Sequence, residues 1–128
     1  MPALHTYDYA VVRVVPRVER GEFVNAGIII SCDKERILLA GIELDETALL
    51  ALDARADLGL VRNVLASIPA ICAGGEAAGD IGKMSPRERF HWLVSPRSTI
   101  VQTSPVHTGQ CSDPAAALEH LLQTVVRR

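Results

Sequence analysis

Three stretches in the first third of the chain combine apolar and β-branched residues and are joined by short polar links. They cover residues 7–15, 23–32 and 36–42. β-Branched and aromatic residues favour strands, and links this short allow antiparallel pairing but not a parallel crossover, which needs a dozen or more residues. The pattern therefore predicts a three-stranded antiparallel meander.

Helical patterns follow, each opened by a residue that can accept hydrogen bonds from the free amides of a first turn. Ser85, with Pro86 and Glu88 after it, forms a capping box with proline at the first helical position. The other predicted starts are Asp45, Asp57 and Asp113, and Pro69 is expected to kink or end the second helix.

The remaining segments complete the predicted order of elements. Residues 99–103 predict a fourth strand, residues 104–109 a polar loop, and the glycine-rich residues 73–83 a flexible connection. The expected fold class is α+β: a small antiparallel sheet of about four strands, made of the meander and one later strand, with the helices mostly on one face. We expect a single domain over residues 1–128.

Composition narrows the classes of function. The 128 residues are 48% hydrophobic and carry 13 basic against 15 acidic side chains, for a net charge of -2. Such a chain can bury a sizeable core, while a membrane span and general nucleic-acid binding are not expected. The three cysteines are odd in number and far apart, as is typical of reduced thiols, so we expect free cysteines and a cytoplasmic location.

Charged residues concentrate in and around the first hairpin. Antiparallel pairing that places Arg13 near Asn25 would put both on the face of Tyr9 and Val11, with Arg20 in the connecting turn. Two interpretations stay open. Either Glu19 or Glu22 pairs with Arg13 inside the protein, or the cluster is a recognition surface.

A second polar cluster, rich in hydroxyl groups, covers residues 97–108. An arginine fork with hydroxyl donors suits a phosphate or carboxylate, although Ser and Thr are also favoured in turns. If the fourth strand pairs with the first, the two clusters meet in one cationic surface. The predicted anion-binding residues are Arg13, Arg20, Asn25, Arg97, Ser98, Ser104 and His107.

Catalytic and metal motifs are weak by comparison. A triad can be assembled on paper from Ser104 or Cys111 with His107 and Asp113, but triads are recognised by geometry. The spacing of the glycines at 74, 75, 79 and 82 matches neither of the phosphate-loop motifs GxxxxGK[ST] and GxGxxG, and no zinc motif is present in the sequence. No cofactor and no metal are expected.

Two blocks of sequence carry a family resemblance. YDYAVVRVVPRVERGEFVNAGIII near the start, and RFHWLVSPRSTIVQTSPVHTG followed by DPAAALEHLL, resemble the bacterial family catalogued as domain of unknown function 3037. The resemblance implies a small protein without an assigned reaction, encoded beside a HipA-like kinase that would be its partner. Its motif residues correspond to Arg13, Pro16, Arg20, Glu22, Asn25, Gly27, Arg89, Phe90, Arg97, Ser98, Ser104, Pro105 and His107.

The leading hypothesis is a non-enzymatic interaction or regulatory module, with a protein partner or a phosphate-bearing ligand. The alternative is an anion- or phosphate-recognising enzyme that uses the Arg/Ser/His cluster. A concave pocket in which the arginines and hydroxyls converge would favour the enzyme, and a flat face would favour the module. The sequence does not determine the oligomeric state.

Overall fold

A computed structural model describes residues 3–97 and 99–127. It has an open antiparallel sheet packed with helices and is therefore α+β, as predicted. The strands are β1 (His5–Val14), β2 (Val24–Cys32), β3 (Ile37–Ile42), β4 (Val101–Thr103) and β5 (His107–Cys111). The α-helices are α1 (Glu46–Leu52), α2 (Leu58–Ala73), α3 (Pro86–Leu93) and α4 (Pro114–Leu121).

Strand β1 lies at the centre of the sheet. The hydrogen-bonded order is β3-β2-β1-β4, and β5 pairs with β1 beyond the end of β4, so one edge of β1 is shared by two short strands. The predicted meander and the predicted pairing of the fourth strand with the first are confirmed. The predicted polar loop over residues 104–109 is wrong in its second half, because His107–Cys111 pairs with His5–Tyr9 of β1.

Alternation along the strands divides the core into two layers. The front face carries Val12, Val14 and Ile29 and packs against α1, α2 and α3. The back face carries Val11 and Ile28 and packs against α4 and its continuation, a π-helical segment over Leu122–Val126. Three helices on the front face and one on the back agree with the expectation that most helices share a face.

Local chemistry explains the helix boundaries. Side chains of Asp45, Asp57, Ser85 and Asp113 each accept a hydrogen bond from a first-turn amide, and the capping box of Ser85 and Glu88 is complete. Two expectations are corrected. Helix α2 continues through Pro69, and the glycine-rich connection contains a 3-10 segment over Glu76–Lys83, interrupted at Gly79.

Gly27 is required by close packing of strands. A Cβ atom there would lie 2.6 Å from the carbonyl oxygen of Gly41 in β3. Any side chain would push the two strands apart. The polar first block thus contains a residue whose role is structural.

Candidate functional site

The first candidate residues meet on the back face of the sheet, at a β-bulge. The register of β1 and β2 shifts between Val12 and Arg13, so that Val12 lies opposite Gly27 and Arg13 opposite Asn25. The extra residue, Ala26, interrupts the regular ladder, which resumes with the pairs Arg13–Asn25 and Val14–Val24. The predicted neighbourhood of Arg13 and Asn25 is therefore present.

Arg13 is partly buried, and its charge has no counterion among the described residues. Its guanidinium carbon lies 4.2 Å from the centre of the Phe23 ring. The Nε atom is buried without a hydrogen-bond partner, and no ion pair of Arg13 occurs among residues 3–97 and 99–127. The glutamates proposed as internal partners pair elsewhere, Glu19 with Arg17 and Glu22 with Arg20. A partly buried arginine without an acceptor loses hydration that nothing in the described chain replaces.

Asn25 has one satisfied and one unsatisfied group. Its Nδ2 atom donates to the carbonyl of Val125, 3.2 Å away in the π-helical segment, and thereby ties the hairpin to the end of the chain. Its Oδ1 atom is buried and receives no hydrogen bond from the residues that the structure describes. Within that part of the chain, a donor on β1 and an acceptor on the opposing residue of β2 are thus both without partners.

The second polar cluster adjoins the first through β4. Gln102 is the cross-strand neighbour of Arg13. Arg97 donates to the Trp92 carbonyl at 2.6 Å, stacks 4.2 Å from the Trp92 ring centre, and lines a separate depression of about 380 Å³ with Gln102 and Ser104. The two blocks are therefore neighbours, but Arg13 and Arg97 do not share a pocket.

The other predicted site residues are held by the protein itself. Ser104 is buried, and its hydroxyl accepts from the Val11 amide at 2.8 Å and donates to the Pro105 carbonyl at 2.9 Å. Arg20 is ion-paired with Glu22 in the exposed turn. The His107 ring lies 5.3 Å from that of Tyr9. Ser98 lies outside the described residues.

The triad drawn from the sequence is not assembled. In the part of the chain that the structure describes, His107 makes no hydrogen bond to Ser104, Cys111 or Asp113, and no three His, Cys, Asp or Glu residues group as metal ligands. Partial burial, with Cys32 nearby, raises the pKa of Cys111, so the adjacent helix start does not activate this thiol. Burial raises the pKa of Cys72 to about 12. All three cysteines are free thiols, as expected.

Two features escaped the sequence analysis. Phe23 forms the apolar support beneath Arg13 and is 43% exposed; the signal was an aromatic side chain beside a polar turn. Asp8 makes an ion pair with Arg87 at 2.8 Å, and the signal was a single carboxylate within an apolar strand.

The fold and this geometry define a class: a small α+β protein with an open antiparallel sheet, whose back face carries an arginine that forms no ion pair within residues 3–97 and 99–127. The model of the family described as Protein of unknown function (DUF3037) matches residues 9–126. The chain belongs to that family. No match was found among the curated proteins or among the solved structures.

One further finding concerns membranes. No single helix among the described residues is long and apolar enough to cross a bilayer. One pair of helices in that part of the chain, Leu58–Ala73 with Glu76–Lys83, has the length and composition of a membrane span when taken together, but it is bent by 62°.

Proposed function

We propose that this protein is a non-enzymatic interaction module that binds an acidic segment of a partner protein. The docking surface is the back-face patch, defined as Arg13, Phe23, Asn25 and Gln102. The observation that carries the proposal is the partly buried guanidinium of Arg13, which has no acidic partner among the described residues.

The chemistry of the back-face patch suits a carboxylate on an extended chain. The planar fork of an arginine matches a carboxylate with two parallel hydrogen bonds, and stacking on Phe23 holds the fork in place. The free Oδ1 atom of Asn25 accepts a hydrogen bond, which a backbone amide beside the carboxylate would donate. An aspartate or glutamate within a peptide offers both groups.

The family resemblance supplies a candidate partner, a HipA-like kinase, and the expected place of the encounter is the cytoplasm of a bacterium. The enzymatic alternative has less support. Its catalytic hydroxyl, that of Ser104, is already hydrogen-bonded on both sides, and the depression lined by Arg97 and Ser104 does not include Arg13. The arginines of the two clusters therefore do not converge on one pocket.

The test compares Arg13→Met with Arg20→Met, which makes the same chemical change at an arginine that already has a partner. In the first experiment, the tagged chain and both variants are used as baits in the native cell, and the captured partners are compared. In the second, the affinity of each for the purified HipA-like kinase is measured by calorimetry. Loss of a buried arginine–carboxylate pair weakens binding by roughly 30-fold or more, whereas loss of a rim charge has little effect. We expect the partners of the parent chain to be lost with Arg13→Met and retained with Arg20→Met.

Thermal melts separate binding from folding. Methionine keeps the stem that packs on Phe23 and removes a charge without a counterion, so the melting temperature of Arg13→Met should equal or exceed that of the parent. A large fall in melting temperature would assign Arg13 to the fold. Equal binding by both variants would contradict the proposed surface, and absence of kinase binding by the parent would contradict that partner.

A further inference from the structure

A second cationic feature lies on the other side of the sheet from Arg13, between the β2–β3 turn and the start of α3. The turn is a short 3-10 helix, Asp33–Glu35. Together with the capping-box end of α3 it borders a depression of about 410 Å³. The lining residues are Asp33, Lys34, Arg36, Ser85, Pro86 and Arg87.

Three cationic side chains converge on this depression from two directions in the fold. Lys34 and Arg36 make no ion pair with any residue in the described ranges. Arg87 is anchored, because it donates to Asp8 at 2.8 Å and to Ser31 at 3.1 Å. These two bonds use two of the five N–H groups of a guanidinium.

The remaining lining residues are Asp33, Ser85 and Pro86. The Ser85 hydroxyl accepts from the Glu88 amide and is hydrogen-bonded to the Glu88 carboxylate within the capping box. Asp33 is the acidic residue of the lining, and Asp8 is already occupied by Arg87 and Thr108. The depression is therefore lined by three cationic side chains and one carboxylate, on a protein whose net charge is -2.

Arg36 occupies a backbone conformation that disfavours it. Its φ of 53° and ψ of 40° lie in the left-handed region. In the described part of the chain, Arg36 is the one residue other than glycine that has a positive φ. Glycine adopts this conformation without the steric penalty that a Cβ atom brings. A long cationic side chain at this position breaks a local rule, and such exceptions concentrate at functional sites.

We propose that this depression binds the phosphate group of a phosphate monoester. A monoester carries close to two negative charges at neutral pH and three acceptor oxygens, which matches donors arriving from both the turn and the helix. A carboxylate has two oxygens and is satisfied by a single arginine fork. The phosphate comes from a small molecule or from a phosphorylated serine, and the chemistry of recognition is the same.

The site is independent of the back-face patch. Asp8, which anchors Arg87, lies five residues before Arg13 on β1, or roughly 16 Å along the strand. Asp8 and its cross-strand partner Ser31 lie on the front face of the sheet. Arg13 and Asn25 lie on the back face. Each proposal can therefore fail without the other.

The experiment is a titration of the complete ¹⁵N-labelled chain, followed by NMR at constant ionic strength. The probes are inorganic phosphate, adenosine monophosphate and phosphoserine, with chloride as the reference anion. We expect saturable shifts of the amides of Lys34, Arg36 and Arg87. A tighter response to adenosine monophosphate indicates a nucleotide, a tighter response to phosphoserine indicates a phosphorylated protein, and equal responses to all three probes indicate that the phosphate group alone is recognised.

Arg36→Gly is the decisive variant. Its matched control is Arg55→Gly, in an exposed turn, at an arginine that has no ion pair with any described residue. Arg36→Gly removes the guanidinium and relieves the backbone, so the melting temperature should not fall while phosphate binding weakens roughly tenfold or more. Arg55→Gly should leave binding unchanged. The proposal is overturned if no probe gives saturable shifts, if chloride gives the same shifts, or if both variants bind equally well.

Discussion

At the scale of single residues, Asp8 is the most connected carboxylate of the sheet. It accepts from Arg87 of α3 and, at 2.7 Å, from the hydroxyl of Thr108 in β5. Partial burial tends to raise the pKa of Asp8, but the hydrogen bonds from Thr108 and Arg87 outweigh it and hold the pKa below its usual value. One side chain thus joins α3 and β5 to the central strand.

Asp8→Asn tests this connection. The variant should lower the free energy of unfolding at neutral pH by roughly 1–2 kcal/mol, because charged hydrogen bonds are stronger than neutral ones. A depressed folded-state pKa gives stability that is present above the unfolded-state pKa, about pH 4, and that is lost as the pH falls through the folded value. Urea melts of the parent and the variant should therefore converge in acid.

The control is Asp80→Asn, which changes a fully exposed aspartate paired with Lys83. Its melts should match those of the parent at both pH values, since exposed pairs contribute little. A difference between parent and Asp8→Asn that stays constant from neutral pH to acid would mean that packing, and not charge, is responsible.

At the scale of elements, α4 is the cover of the back face. Leu121 and Leu122 are buried against Val11 and Ile28, and a Cβ atom on Gly41 would lie 2.6 Å from the Leu122 side chain. The end of the helix is fastened by Arg127, which pairs with Glu43 and Glu119. The helix is therefore part of the core.

Leu121→Ala should lower the free energy of unfolding by roughly 2–4 kcal/mol, because a buried leucine loses its transfer energy and leaves a cavity. Gln123→Ala, at an exposed position two residues on, is the control. If denaturant melts of Leu121→Ala and the parent agree within about 0.5 kcal/mol, the apolar side of α4 is accessible to solvent, and α4 becomes a candidate interface.

The elements also show what local sequence determines. The caps at Asp45, Asp57 and Ser85 were predictable because each is a contact between residues three positions apart. Strand β5 was missed because its partners are about a hundred positions away in the chain: Thr108 lies opposite Asp8, and nothing within HTGQC signals that pairing. Pro69 was expected to kink or end α2. It does not end the helix, because it lies on the exposed side and the five buried residues of α2 hold the helix by tertiary packing.

At the scale of the whole molecule, the sheet has two kinds of strand. Strands β1 and β2 are paired along both edges, whereas β3 is an edge strand. The Glu43 amide donates to the Ala26 carbonyl, so by alternation the amides of Leu39 and Gly41 point toward β2 and those of Leu38 and Ala40 point outward.

Hydrogen exchange should report this difference. Amides of Val12 and Ile28 should exchange only through global unfolding, and protection along β3 should alternate, strong at Leu39 and weak at Leu38 and Ala40. The measurement is the exchange rate of each of these amides, followed by NMR on the isolated protein. Uniform strong protection along β3 would contradict a free edge and would show that another chain covers it.

In the candidate site, too, contacts between residues close in sequence were predictable, and contacts between residues far apart in sequence were not. The pairing of Arg13 with Asn25 followed from strand alternation and a short hairpin, so the sequence predicted it. The sequence could not show that Glu22 pairs with Arg20 in place of Arg13, since rotamers in a turn decide that. Nor could it show that Arg36 and Arg87, some fifty positions apart, line one depression.

The central position of β1 has a consequence for biosynthesis. This strand is synthesised before the other four strands of the sheet, yet one of its edges is completed only by residues 101–111. During the interval a nascent chain presents the unpaired backbone beside Val11 and Val12, the most aggregation-prone kind of surface that a growing polypeptide can expose. We therefore expect refolding yields of the isolated chain to rise when a holding chaperone is added.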